Sequence, residues 1–207
     1  MGIRSPLAAP DWRVLLLGGA SGLGKSTVAM RLGRRLGLPW LQVDDFRLAL
    51  IRSGLPFPDA DAVPTFDGPG GLLSHGELLS PAIEVVIENH IDQGNPALLE
   101  GDAIVPSLFE RPSVRRNADS GGLRAIFLYE SEERAIQQNM RARGRTLSDA
   151  AHAHKNWRYG EWLRQEAELR GLPTLPARPW DTLGERILHV AKASLTLRGR
   201  YAPEIRR

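Results

Sequence analysis

The sequence predicts an α/β domain in which a parallel β-sheet carries helices on both faces. Two observations predict this class: strand-like and helix-like segments alternate along the chain, and the strand-like segments are continuous apolar runs. A strand that is apolar at every position is typical of a sheet covered on both faces. At 207 residues, one domain spanning 1–207 is expected, with its core at about 13–195.

Five segments have the character of strands. The clearest is RVLLLG, which precedes a glycine-rich stretch, and ALLEG follows the turn-forming sequence GNP. The predicted strands lie at residues 13–18, 39–43, 97–101, 124–130 and 172–176.

The segments between the strands show helical periodicity. Ser74 is a candidate N-cap, and Asp181 or Thr182 is expected to open the last helix, with Glu185 completing a capping box. Residues 54–73 are rich in Pro and Gly and are predicted to form a long loop that contributes to an acceptor-binding site. The other predicted helices cover residues 25–37, 46–53, 74–93, 131–145 and 148–170.

The stretch GGASGLGKST at 18–27 fits the phosphate-loop pattern G-x-x-x-x-G-K-[ST]. Glycines allow backbone N–H groups to approach phosphates, and the N-terminus of the following helix favours anions. Lys25 is expected to contact the β- and γ-phosphates, and Ser26 to place its hydroxyl on Mg²⁺. The predicted nucleotide-binding residues of this loop are Gly19, Ala20, Ser21, Gly22, Leu23, Gly24, Lys25, Ser26 and Thr27.

Two pairs of acids follow predicted strands, at the sheet edge where ligands of such folds bind. Asp44 and Asp45 follow the second strand, where one carboxylate could deprotonate an acceptor hydroxyl. Asp44 is the preferred base, because Asp45 suits a helix cap. Glu100 and Asp102 flank the end of the third strand, where either could hold Mg²⁺.

The stretch MRARGR brings Arg141, Arg143 and Arg145 together at the end of a predicted helix. Cations are favoured at helix C-termini in any protein. The functional interpretation is an arginine-rich lid at about 140–148, in which Arg141 and Arg145 stabilise charge on a transferring phosphoryl group.

Taken together, these motifs resemble the P-loop small-molecule kinases, such as the shikimate, gluconate, nucleoside monophosphate and uridine kinase-like groups. The segment LLEGDAIVP is similar to the EG-x-x-I-V-P stretch of 2-phosphoglycerate kinase-like proteins. The resemblance implies a three-layer P-loop NTPase fold with a five-stranded parallel sheet, and transfer of phosphate from ATP-Mg²⁺ to a small acceptor. It also implies that Arg141, Arg178 and Trp180 contact the nucleotide, the last two beside adenine.

Composition bounds the partners and the location. The 27 basic residues nearly balance 24 acidic ones, which makes nucleic acid an unlikely partner. No apolar run is long enough to cross a membrane, no signal peptide is recognised, and the chain has no Cys, so a cytoplasmic location is expected. The expected assembly is a monomer or a homodimer. A polynucleotide or RNA-end kinase and a regulatory ATP-binding module remain alternatives to the small-molecule kinase.

Overall fold

The computed structural model describes residues 10–57, 70–142 and 150–193. Within them lies a sheet of five strands, all paired in parallel, in the order β2-β3-β1-β4-β5. The strands are β1 (Val14–Gly18), β2 (Trp40–Gln42), β3 (Ala97–Gly101), β4 (Leu123–Tyr129) and β5 (Thr174–Pro176). The fold class predicted from the sequence is therefore confirmed.

Helices cover both faces of this sheet. Helices α1 and α7 pack together on one face, and α3, α4 and α6 contact strands on the other. The helices are α1 (Lys25–Leu36), α2 (Val43–Arg52), α3 (Gly70–Asp92), α4 (Pro112–Asp119), α5 (Glu133–Ala142), α6 (Ala150–Leu169) and α7 (Leu183–Lys192). None of the helices in the described residues is both long and apolar enough to cross a membrane.

The central strands form the core of the molecule. Every residue of β1 and β3 is buried, as the continuous apolar runs predict for strands covered on both faces. In the register of the sheet, Gly18 pairs with Gly101. Because the two strands run parallel and end at the same level, the loops that follow them leave from the same edge.

The second strand is shorter than predicted, and this moves the acid pair. Strand β2 ends at Gln42 and α2 begins at Val43. Asp44 and Asp45 therefore lie in the first turn of a helix and do not end a strand. Acidic residues are favoured there by the helix dipole, which explains why the helix begins before them.

The predicted start of α3 is wrong, whereas the predicted start of α7 at Thr182 is confirmed but its capping box does not form. Helix α3 begins at Gly70, so Ser74 lies inside the helix and is not its N-cap. The loop predicted at 54–73 therefore ends too late, and its residues 58–69 lie outside the described part of the chain. At α7 the cap position is Thr182, which makes no side-chain cap bond, and Glu185 forms an ion pair with Arg35 of α1. The capping box therefore does not form, because the glutamate is used between two helices.

A short 3₁₀ helix (Pro106–Glu110) and α4 connect β3 to β4, and neither was predicted. Proline is the first residue of each element. Proline ends helices but is also favoured in their first turn, where its missing N–H removes no hydrogen bond.

Candidate active site

The phosphate loop connects β1 to α1 at the carboxyl edge of the sheet. Gly24 occupies the N-cap of α1 with φ 77°, a left-handed conformation that glycine adopts without strain. Lys25 is the first helical residue and is only 6% exposed. Its Nζ donates to the carbonyl oxygen of Ala20 at 2.8 Å, so the ammonium group lies against the loop itself. An ammonium has two further N–H donors with which it could contact phosphate oxygens.

A residue that the sequence analysis missed supports this loop from α5. The Asn139 side-chain nitrogen donates to the carbonyl oxygen of Gly22 at 3.0 Å. No local pattern identifies such a contact, because the two residues are 117 positions apart in the chain.

The start of α2 lies directly over the end of β3. A Cβ atom on Gly101 would lie 2.7 Å from the Cβ of Val43, so only glycine allows this approach. It brings Asp44 to the cleft beside the phosphate loop, whereas Asp45 is not among the residues that line the cleft. Asp44 accepts a hydrogen bond from Arg47 Nε at 3.2 Å, and its side chain is 52% exposed.

Glu100 is the most buried carboxylate of the cleft, at 4% exposed. Burial raises the pKa of its carboxyl, while the Lys25 ammonium and a hydrogen bond with Ser26 oppose that rise. Burial also raises the pKa of Asp102, and again Lys25 acts in the opposite direction. Asp44 raises both pKa values further through charge repulsion.

These elements enclose one cleft of about 470 Å³, open solvent included. Its charged lining comes from Lys25, Asp44, Glu100 and Asp102, and Gln42 at the end of β2 is a further polar residue that the sequence analysis missed. The sequence therefore predicted four of the charged groups that the fold brings together. The remaining lining residues are Ser21, Gly22, Leu23, Gly24, Ser26 and Gly101.

The oxygen atoms around Ser26 fit a hard divalent cation. The Ser26 hydroxyl lies close enough to Glu100 to lower the pKa of that carboxyl, and the mutual repulsion of Glu100, Asp102 and Asp44 would be relieved by a positive ion. The described ranges contain no group of three or more His, Cys, Asp and Glu side chains that could chelate a metal. Mg²⁺ needs no such group, because it retains water and takes oxygens from substrate phosphates.

The arginines predicted to form a lid do not meet the cleft in the part of the chain that is described. Arg141 lies in the last turn of α5, is exposed, and is not among the cleft-lining residues. Arg143 and Arg145 lie outside the described residues. Their roles remain predictions.

Arg178 and Trp180, the residues predicted beside adenine, form a stacked pair after β5. The Arg178 guanidinium carbon lies 4.9 Å from the centre of the Trp180 ring, and Trp180 is 45% exposed. The buried Glu130 accepts a hydrogen bond from Arg178 Nε at 2.9 Å and fixes the arginine in place. Neither residue is among those that line the cleft, so their place beside adenine remains a prediction.

Comparison with solved structures identifies the class to which this fold belongs. A gluconokinase from Sinorhizobium meliloti superimposes with a TM-score of 0.52 at 20% identity, covering 88% of this chain and 93% of that one. The chain thus has the fold of the P-loop kinases, which confirms the resemblance noted in the sequence.

Two curated relatives are similar to this chain in sequence, and both are 2-phosphoglycerate kinases. The relative from Methanocaldococcus jannaschii is 24% identical, over 78% of this chain and 57% of its own length. The relative from Methanopyrus kandleri is 25% identical, over 88% and 61%. The chain therefore spans about three fifths of each relative. No protein-family model matches it.

Proposed function

We propose that this protein is an ATP- and Mg²⁺-dependent phosphotransferase that moves the γ-phosphate of ATP to a hydroxyl, or a phosphate, of a small-molecule acceptor. One observation carries the proposal: six residues of the phosphate loop, Ser21 to Ser26, line the same cleft as three carboxylates. Asp44 is the most exposed of the three carboxylates, so it is the one that an incoming acceptor hydroxyl can reach.

The donor side of the cleft is the phosphate loop, residues 18–27. Its backbone N–H groups and the N-terminus of α1 bind the phosphates, and Lys25 neutralises charge that develops on the transferred group. Ser26, with Glu100 or Asp102, would hold the metal ion, which supplies further neutralisation of the phosphate oxygens.

The acceptor side is formed by Asp44 and its partner Arg47. The acceptor oxygen attacks the γ-phosphorus, the bond to the β–γ bridging oxygen breaks, and ADP leaves. The proton of an acceptor hydroxyl passes to the Asp44 carboxylate. The Asp44 side chain is 52% exposed, so an incoming hydroxyl can reach it. Asp45 shares the helix turn but not the cleft and serves as the matched comparison.

The relatives' names make 2-phosphoglycerate the first acceptor to test. The experiment incubates the protein with ATP labelled in the γ-phosphate, Mg²⁺ and a panel of glycerates, sugars, nucleosides and aminoglycosides. We expect label on one class of acceptor, and its loss in Lys25→Ala. ATP hydrolysis that no acceptor accelerates, or label on oligonucleotide ends alone, would overturn the proposal.

A further inference from the structure

Tyr159 of α6 makes a contact that the proposed reaction does not yet use. Its side chain is only 2% exposed, and its hydroxyl donates to the backbone carbonyl oxygen of Asp102 at 2.7 Å. The ring stacks on that of Trp162, with centres 6.0 Å apart and planes within 11°. The ring is therefore held in place, and its hydroxyl is directed at the residue that follows β3.

The hydroxyl remains a neutral donor under ordinary conditions. Burial raises the pKa of Tyr159 well above its usual value, and the negative charges of Asp102 and Glu77 raise it further. A phenylalanine would fill the same space, so what the tyrosine adds is the hydrogen bond to the Asp102 carbonyl.

This hydrogen bond fixes the peptide group on the carboxyl side of Asp102. The carboxylate of Asp102 extends from the same residue, and it lies close enough to Lys25 and Asp44 for their charges to shift its pKa. A fixed carbonyl therefore limits the directions in which this carboxylate can point. Without it, the residue after the strand could rotate away from the cleft.

The helix that carries Tyr159 belongs to the same unit that supports the phosphate loop. His154 of α6 is hydrogen-bonded to Glu133 of α5 at 2.9 Å, and α5 contacts the loop through Asn139. A Cβ on Gly160, the next residue of α6, would lie 3.3 Å from the Ala20 side chain. The α5–α6 pair thus contacts both the loop and the end of β3.

We propose that Tyr159 is a positioning residue, which holds Asp102 at a fixed place relative to the phosphate loop so that its carboxylate can serve a loop-bound Mg²⁺–nucleotide. This inference rests on the proposed function, because the metal is needed for phosphate transfer. What it predicts directly is how nucleotide binding depends on Mg²⁺. That quantity can be measured without any acceptor.

The test compares Tyr159→Phe with the wild-type chain in calorimetric titrations of ADP and ATP, with and without Mg²⁺. We expect metal-free nucleotide affinity to change less than about twofold, whereas the Mg²⁺ concentration for half-maximal enhancement rises about tenfold, as for other residues that orient metal ligands. Tyr129→Phe makes the same chemical change on β4 and should leave both quantities at wild-type values. Thermal midpoints measured in parallel establish that each variant is folded at the assay temperature.

Asp102→Asn and the double variant separate positioning from general support. If Tyr159 acts through Asp102, the Mg²⁺ shift in the double variant equals that of Asp102→Asn alone. Three results for Tyr159→Phe would each overturn the inference: a Mg²⁺ shift that adds to that of Asp102→Asn, an equal weakening of metal-free nucleotide binding, or an unchanged Mg²⁺ dependence. A wild-type chain whose nucleotide affinity does not depend on Mg²⁺ would overturn it as well. Normal Mg²⁺ behaviour without any phosphorylated acceptor would instead count against the proposed function alone.

Discussion

The two sides of the cleft are built in different ways. On the donor side, a fully buried strand leads into a loop whose lysine is 6% exposed and hydrogen-bonded to the loop's own backbone. On the acceptor side, Asp44 stands on the first turn of a short helix with its side chain 52% exposed. Backbone geometry thus defines the donor side, and exposed side chains define the acceptor side. Substitutions on the exposed helix surface should leave the sheet intact, whereas substitutions in the phosphate loop act next to the buried β1.

The largest expected effect is on the donor side. Lys25→Ala removes the ammonium that would neutralise the transferring phosphate, and we expect kcat to fall about 10³-fold. Lys192→Ala, at the exposed end of α7, makes the same change away from the cleft and should leave kcat unchanged. Steady-state assays of both variants measure kcat. A loss below tenfold in Lys25→Ala would show that the lysine does not act in phosphate transfer.

On the acceptor side, Asp44→Asn should reduce kcat about 10²-fold through loss of the general base. Nucleotide affinity should stay near the wild-type value, because Asp44 is assigned to the acceptor. Asp45→Asn in the same helix turn should change kcat less than about twofold, since Asp45 does not line the cleft. Equal losses in the two variants, or a collapse of ATP affinity in Asp44→Asn, would contradict the division into two sides.

The third prediction concerns the adenine end of the donor side. Trp180→Ala should raise the KM for ATP about tenfold with little change in kcat, because base stacking contributes to binding and not to the chemical step. Trp180→Phe retains an aromatic face and should recover most of the affinity. If Trp180→Ala binds ATP normally, the tryptophan serves the packing of α7.

The smallest expected effects are on stability and its dependence on pH. Glu84 lies outside the cleft, and its pKa is lowered mainly by the hydrogen bond from Ser113, with Arg111 also contributing. Its stabilising contribution is present above its ordinary pKa of 4.5 and is lost as the pH falls through the lowered folded-state value. Glu84→Gln should therefore lower the free energy of unfolding by about 1–2 kcal/mol at neutral pH.

The stability contributed by Glu100 changes with pH in the opposite direction, because burial raises the pKa of its carboxyl. The fold prefers its protonated form, so its contribution to stability is greatest below pH 4.5 and declines as the pH rises through the raised folded-state value. Glu100→Gln should then raise the thermal midpoint at neutral pH, with the gain vanishing near pH 4. Thermal unfolding of Glu84→Gln and Glu100→Gln across this pH range, without nucleotide, measures the two opposite effects. A lower midpoint for Glu100→Gln at neutral pH would contradict the destabilising effect expected of the ionised Glu100.

The same difference between the two sides explains what the sequence could predict. The phosphate loop is a local pattern, and the spacing of Gly24, Lys25 and Ser26 within it is enough to predict a phosphate-binding site. The parallel sheet follows from apolar runs such as ALLEG, whose predicted bounds match β3.

Contacts between distant segments could not be predicted in this way. Asn139 reaches Gly22, and Tyr159 reaches Asp102, only after the helices have packed. The sequence favoured Asp44 over Asp45 because Asp45 suits a helix cap, but the cap of α2 is Gln42. Asp44 reaches the cleft through the approach of Val43 to Gly101, which spacing does not encode. The sequence supplied the chemistry of the acceptor side, while the direction of its side chains depends on tertiary packing.

If both sides of this cleft act in one transfer, phosphate must pass from ATP to the acceptor within a single turnover. The most direct measurement loads the protein with γ-labelled ATP and Mg²⁺, adds the acceptor identified from the panel, and quenches after a single turnover. We expect label on the acceptor in the wild-type chain, and slower transfer in Asp44→Asn with ATP still bound. Label released only as inorganic phosphate, at a rate that neither the acceptor nor Asp44→Asn changes, would contradict it.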